Sequence, residues 1–325
     1  PWRLTGVRVH ATDMTNASRT MQCDIHRQCW DDALLALFNI PQSILPDICG
    51  NAHVFGDTDA AITGRSMPIA GMAGDQQAAL IGQRCFTPGT IKSTYGTGCF
   101  LLANIGATPV LSTNRLLTSP AYRIGEDAAY ALEGSIFIAG AAIKWLRDTL
   151  GLVSSAEDTA RMAAGVPAEH GVHFVPAFVG LGAPHWRSDV RAAITGMTLD
   201  TGPAHFARAA LEAAAFQTCD LLDAISADGI TTPSLIRIDG GMASNDWFAQ
   251  CLADLTGIVV ERPANHETTA FGAALLAGLT VGLWPDKSGP QIPLATDARF
   301  EPMLDDEKRI QRQNGWKRAL ERVLT

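Results

Sequence analysis

The chain has 325 residues, 47% of them hydrophobic and 18% charged, and a formal net charge of −8. That length can bury a sizeable core in one large or two medium domains, and the composition is that of a folded protein without low-complexity tracts. The acidic balance argues against a nucleic-acid binder, whose affinity rests on cationic contacts to phosphate, so any anionic ligand must be held by local amides or a metal ion.

In chain order, residues 5–12 alternate weakly, and residues 15–21 set small polar side chains beside Arg19, as in a hydrogen-bonded loop and cap. Residues 31–38 read as a short helix with Asp31 and Asp32 suited to its first turn, and Pro41 and Pro46 punctuate the loop that follows. Residues 67–73 read as a short apolar strand running into Gly74-Asp75-Gln76-Gln77, with a helix predicted over 76–83. Asp75 there suits an N-cap, the plainer local reading, and its side chain can also face outward from the end of a sheet. Residues 90–94 and 99–104 are β-prone and joined by Tyr95-Gly96-Thr97-Gly98, a hairpin with two glycines at its tip. Glycine lets backbone approach a ligand closely, and amides turned into such a tip form an anion-binding concavity.

Further on, residues 122–124 and 128–133 suggest a second hairpin turning at Gly125-Glu126-Asp127. Ser135 is placed to cap a helix over 136–150, with Gly140 inside it at a cost of about 1 kcal/mol relative to Ala. His170 and His173 are a metal pair by composition only; without further partners they fall short of zinc's ligand count, so no metal site is assigned. Residues 203–227 are the clearest helix, opened by Pro203 and closed by Gly229. Then come a strand over 235–238, a glycine-rich turn over 239–245, a helix over 246–255, a strand over 258–261 and a helix over 267–279. That alternation argues for α/β layers. Residues 305–323 read as a charged helix with Ile310, Trp316, Leu320 and Val323 available for one face. The most apolar stretch, residues 271–284, is too short and too interrupted by glycine for a membrane span and reads as a buried helix. Seven cysteines with no Cys-x-x-Cys pair point to free thiols in a reducing, cytoplasmic setting.

Thr15-Asn16-Ala17-Ser18-Arg19-Thr20-Met21, Gly74-Asp75-Gln76-Gln77-Ala78-Ala79, Tyr95-Gly96-Thr97-Gly98-Cys99-Phe100, Asp239-Gly240-Gly241 and Glu267-Thr268-Thr269-Ala270-Phe271-Gly272-Ala273-Ala274 closely resemble the glycerol kinases of the FGGY carbohydrate kinase family. The likeness runs in the family's order over nearly the whole length. It implies the α/β ribonuclease H-like ATPase fold of actin and hexokinase. Residues 1–83 would be the C-terminal part of domain I, which is incomplete here, and 84–325 a largely complete, nucleotide-side domain II. The implied reaction is transfer of the ATP γ-phosphoryl group to a terminal hydroxyl of glycerol, giving glycerol 3-phosphate, with Mg²⁺ bridging the phosphates. By resemblance Asp75 takes the hydroxyl proton; Asp75, Gln76 and Phe100 hold the polyol; and Thr97, Gly140, Lys144, Gly241 and Asn245 meet the nucleotide. The implied partners are glycerol and ATP or ADP, with no nucleic acid and no membrane, and homo-oligomerisation is left open.

In the family a considerable N-terminal portion, carrying the first phosphate hairpin, precedes the Thr15 motif; this sequence opens Pro1-Trp2-Arg3-Leu4 without it. The expectation is weak nucleotide affinity with little or no turnover by this chain alone. Two other readings stay open: a kinase of another polyol, a pentulose or gluconate, and a non-catalytic kinase-derived module. A dinucleotide-binding oxidoreductase is disfavoured, because Gly240-Gly241-Met242-Ala243 does not supply Gly-x-Gly-x-x-Gly after the strand.

Overall fold

In the computed structural model, residues 1–231, 233–290 and 295–325 are described. Helix α1 (Asp75–Gly82) leads into a seven-stranded sheet of β1 (Thr90–Tyr95), β2 (Cys99–Gly106), β3 (Leu117–Ile124), β4 (Asp127–Ile136), β5 (Leu235–Asp239), β6 (Val259–Pro263) and β7 (Thr296–Phe300). The spatial order is β7-β6-β5-β1-β2-β4-β3. β1 to β4 pair antiparallel among themselves, β5 runs parallel to both β1 and β6, and β7 closes the edge antiparallel to β6. Parallel neighbours require crossovers. The β4-to-β5 connection carries α2 (Gly140–Asp148), α3 (Asp158–Ala164) and α4 (Pro203–Ala227); the β5-to-β6 connection carries α5 (Asp246–Thr256). Helix α6 (Thr268–Thr280) follows β6, and α7 (Asp306–Leu324) ends the chain.

Side chains alternate across a strand, so each strand feeds two cores. Ile91, Tyr95, Leu101, Leu132, Ile136, Ile236 and Ile238 join residues of α4, α5 and α7 in the larger one. Leu102, Ala121, Tyr122, Ala129 and Ala131 turn to the opposite face and pack with Leu80 and Ile81 of α1 and Leu275 and Leu276 of α6. Each buried Leu or Ile among them contributes about 1.5–3 kcal/mol. The same alternation carries Lys92, Glu133, Arg237 and Asp239 toward the α1 side, where polar partners meet them.

Helices α1 and α6 touch backbone to backbone at two glycines. A Cβ on Gly82 would lie 2.0 Å from the Thr268 carbonyl oxygen, and one on Gly272 would lie 1.8 Å from that of Ala78. No residue larger than glycine fits either position without separating the helices. Before α1 the chain is built of short elements, among them the parallel pair Ala11–Asp13 and Asp47–Cys49 and the helix Asp32–Phe38, capped by Asp31. This part is tied to the sheet by Arg19, whose guanidinium reaches Glu133 at 2.6 Å, and by Asn51, whose side-chain oxygen accepts from the Arg123 amide at 2.7 Å.

Three expectations change. Residues 67–73 form only the isolated bridges Asp57↔Pro68 and Ala52↔Gly71, since Pro68 has no N–H to extend a ladder. Ser135 caps nothing: Ser135 and Ile136 complete the β4 ladder opposite Phe100 and Cys99, and the helix begins instead at Gly140. On α7, Trp316 and Leu320 are buried as expected, but Ile310 is 54% exposed.

Candidate active site

The site is assembled around the first turn of α1. Asp13 accepts hydrogen bonds from the backbone and hydroxyl of Thr15 and from the Asn51 side chain, all three residues being fully buried. This leaves the Thr15 hydroxyl oxygen turned toward Gly74, whose N–H it accepts at 2.8 Å. The same Asn51 amide donates to the Met72 carbonyl at 2.9 Å, so the backbone is pinned on both sides of Ala73. Asp75 follows as the first residue of α1, exposed, where a negative charge is favoured by the helix dipole. Its Oδ1 accepts from the Gln76 backbone N–H at 2.8 Å, and its Oδ2 lies 3.4 Å from Gln76 Nε2.

Beneath this turn lies Lys92, with 0% exposure. Its ammonium donates to Gln76 Oε1 and lies 3.5 Å from the Phe100 carbonyl oxygen, joining α1 to the β1–β2 hairpin. Burial pushes the Lys92 pKa below its ordinary value, opposed chiefly by the nearby carboxylates of Asp239, Asp75 and Glu133. The Phe100 side chain is 45% exposed. Asp239 accepts from Gln83 Nε2 at 2.7 Å and from the Thr268 hydroxyl, and its other oxygen is buried without a hydrogen-bond partner.

The glycine-rich turns border a cavity of about 640 Å³, lined among others by Thr97, Gly140, Lys144, Gly241 and Asn245, a volume in the range of small-molecule sites. The hairpin tip is held to the start of α2: the Gly96 carbonyl accepts from the Gly140 N–H at 3.0 Å, and that of Thr97 from Ala139 and Ala141. Gly240 has φ +87°, and a Cβ there would sit 2.5 Å from the Tyr95 carbonyl oxygen, so only glycine allows β5 to turn against β1. Gly241 differs: a Cβ there meets nothing within 4 Å. Asn245 caps α5, accepting from the Phe248 N–H at 3.0 Å, while its amide nitrogen donates to Thr159 Oγ1 at 3.1 Å. Lys144 is exposed at the rim.

All five expected nucleotide residues thus line one cavity, and Asp75, Gln76 and Phe100 gather around Lys92. The two groups meet at the β1–β2 hairpin. Sequence reasoning passed over Thr15, treated as scaffold, and over Lys92, Glu133 and Asp239; no local signal on their strands marks that α1 covers these side chains. His170 bonds Glu212 at 3.2 Å, and among the described residues no group of three or more His, Cys, Asp or Glu side chains is arranged to hold a metal. A magnesium ion takes most of its ligands from phosphate and water. Asp239, with its unpartnered oxygen beside the Gly241 turn, is the carboxylate suited to a water of such an ion. A separate cavity of about 750 Å³, lined by Arg115, His185, Asp220 and Lys317 among others, contains none of the expected site residues.

The family model for the C-terminal domain of the FGGY carbohydrate kinases matches residues 91–281, and that for the N-terminal domain matches residues 1–82. The chain is 55% identical over 324 residues to a glycerol kinase of Gluconobacter oxydans and 56% identical over 322 residues to one of Rhodospirillum centenum. These alignments cover 100% and 99% of this chain but 63% and 64% of the relatives, so the chain spans less than two thirds of their length. Among solved structures, the Plasmodium falciparum glycerol kinase with ADP matches with a TM-score of 0.94 at 40% identity, covering all of this chain and 65% of that one. A gluconate kinase from Lactobacillus acidophilus matches with a TM-score of 0.86 at 22% identity, covering 98% of this chain and 65% of that one, which speaks for the fold alone.

Proposed function

The chain belongs to the FGGY family of carbohydrate kinases, with the actin- and hexokinase-like α/β fold, and from that premise we propose that it carries the ATP-dependent phosphorylation of glycerol to glycerol 3-phosphate. The observation that supports this most is the convergence of Thr97, Gly140, Lys144, Gly241 and Asn245 on one cavity beside the hairpin that bears Phe100 and, through Lys92, Gln76. Residues 1–83 then belong to the first kinase domain and 84–325 to the second, a division that the two family matches support.

Asp75 accepts the proton of the attacking hydroxyl, which requires an approach of about 3 Å in the productive pose. Gln76 donates to the polyol and Phe100 covers its carbon skeleton. Thr97 and the tip of the hairpin contact phosphate, Gly241 lets the nucleotide approach the backbone, and Lys144 adds a positive charge at the rim. Mg²⁺, when bound with ATP, neutralises charge on the transferring group, and Asp239 would hold it through water. The gain in rate then comes mostly from positioning and charge stabilisation. ATP in the cavity and glycerol at Asp75 are the partners this reading requires.

The test is phosphoryl transfer by the protein as its gene encodes it, across glycerol, xylulose, gluconate and related polyols, with products identified. Glycerol is expected to give the highest kcat/KM, and Asp75→Asn to lower turnover by roughly 10²–10⁴-fold while leaving ADP binding intact. Preference for another polyol would replace glycerol as the substrate. ADP binding without phosphorylation of any of them would favour a non-catalytic role.

A further inference from the structure

Lys92 lies on the central strand β1, with Ile91 and Tyr95 facing the larger core and Lys92 facing α1. A fully buried ammonium is expensive unless it is well partnered, and a lysine at this position adds nothing to packing that methionine would not. Its hydrogen-bond contacts are with oxygens, those of the Gln76 side chain and the Phe100 backbone. Both residues belong to the proposed polyol site, one from α1 and one from the facing strand.

The chemistry of the contact removes an ambiguity that a glutamine normally carries. An ammonium can only donate, so the Gln76 atom that faces it must be the carbonyl oxygen. The amide nitrogen is thereby turned away from Lys92, and it lies 3.4 Å from Asp75 Oδ2. Asp75 Oδ1 already accepts from the Gln76 backbone N–H at 2.8 Å. The remaining acceptor, Oδ2, and the donor, Gln76 Nε2, are therefore adjacent and complementary to one hydroxyl group, which donates to the first and accepts from the second.

We infer that Lys92 is a positioning residue for the phosphoryl acceptor: by occupying Gln76 Oε1 it fixes the amide so that Gln76 presents only donors to the substrate, and it ties that amide to the strand bearing Phe100. This rests on the proposed kinase reading and deepens it. The site reads an alcohol by its dual capacity, with the hydroxyl proton directed at Asp75 before transfer begins. A rotated amide would instead present an oxygen beside the Asp75 carboxylate, and two acceptors there would repel the hydroxyl oxygen.

The experiment compares wild type, Lys92→Met, Gln76→Ala and the double variant in the protein as encoded, with separate KM values for glycerol and ATP. Lys92→Met keeps the stem and removes the donor. Losing a charge-assisted hydrogen bond should raise the glycerol KM by roughly ten- to a hundredfold, with the ATP KM within about twofold of wild type. In the Gln76→Ala background the same change should add less than about twofold, because coupled residues are non-additive. Equal effects in both backgrounds, or a matched loss for glycerol and ATP, would make Lys92 merely structural and overturn the inference.

Because Lys92→Met also removes a buried charge, wild-type nitrogen-resolved NMR supplies an arm independent of folding in the variant. It should show the Lys92 ammonium protected from exchange and in contact with the Gln76 side chain; absence of that contact overturns the inference. A wild type that shows the contact but phosphorylates a different polyol refutes the glycerol reading and leaves the clamp standing for that polyol.

Discussion

Gly241→Ala tests whether this residue is glycine for the proposed nucleotide or for its neighbours. A Cβ at Gly241 meets no atom within 4 Å, and the residue is absent from the glycines with positive φ, so alanine fits the free protein without strain. Stability should stay within about 1 kcal/mol of wild type, with any change toward a gain from reduced freedom of the unfolded chain. In the proposed complex the methyl points into space that the nucleotide occupies, and overpacking of that kind costs about 1–3 kcal/mol. At about 1.4 kcal/mol per tenfold, ADP affinity should fall by roughly 5- to 150-fold. Gly140→Ala is the contrast, since its Cβ would lie 2.6 Å from the Gly96 carbonyl oxygen and strike the hairpin before any ligand arrives. It should lose both stability and affinity. The assay is calorimetric titration with ADP beside thermal melts of both variants. A Gly241→Ala protein that melts and binds ADP as wild type does would refute the placement of the nucleotide against this turn.

Gly272→Ala should force α1 and α6 apart, because its Cβ would lie 1.8 Å from the Ala78 carbonyl oxygen. A loss of about 1–3 kcal/mol in chemical denaturation is expected, together with a fall in kcat larger than any change in ADP affinity, since α1 carries Asp75. Thr15→Val keeps the shape but leaves the Gly74 N–H without its acceptor, at about 1–3 kcal/mol; polyol phosphorylation should drop while the ATP KM holds. Glu212, in α4, is bound by Arg208 at 2.6 Å, Arg312 at 2.7 Å and His170 at 3.2 Å. Burial pushes its carboxyl up, but the His170 hydrogen bond and the charges of Arg312 and Arg208 outweigh it and hold the pKa below the ordinary value. An unfolded Glu titrates at about 4.3, so this stabilisation is complete above that pH and is lost as pH falls through the lower folded value. Melting temperature followed from pH 7 downward should decline in that window. Glu212→Gln should remove that part of the slope while costing about 3–5 kcal/mol at pH 7, where it strands the buried Arg208 and the half-buried Arg312.

What could be read from the sequence was decided by local chemistry. Helix α4 begins at Pro203 and ends at Ala227 as expected, because proline at its first position and Gly229 at φ +81° act within a turn of its ends. The β1–β2 hairpin and the turn after β5 were legible for the same reason, and they carry most of the expected nucleotide residues. Failures came where a distant partner decided. Ser135 has the residue type of a helix cap, yet its backbone is claimed by the strand opposite Phe100. The run before Gly74 is apolar enough for a strand but finds only isolated bridges. Lys92, between Ile91 and Ser93, reads as a solvated strand position, and nothing local reveals that α1 covers it.

That concealed face explains how an exposed carboxylate can be held in place. The sheet beneath α1 presents Lys92, Glu133, Arg237 and Asp239, and apolar residues of similar volume would fill this space at lower desolvation cost. Their bonds instead run upward into one helix: Lys92 to Gln76, Glu133 to Gln77, Arg237 to the Gln83 carbonyl and Asp239 to the Gln83 side chain. The first two lie under the turn that begins with Asp75, and the others under the end of the helix. Thr15 fixes the backbone before the helix, and Gly82 and Gly272 fix the spacing between α1 and α6. A helix of eight residues has little stability of its own, so its position comes from these three independent restraints. Asp75 gains from them a fixed place on a rigid element while its side chain stays open to solvent, the combination that a residue waiting for a substrate hydroxyl requires.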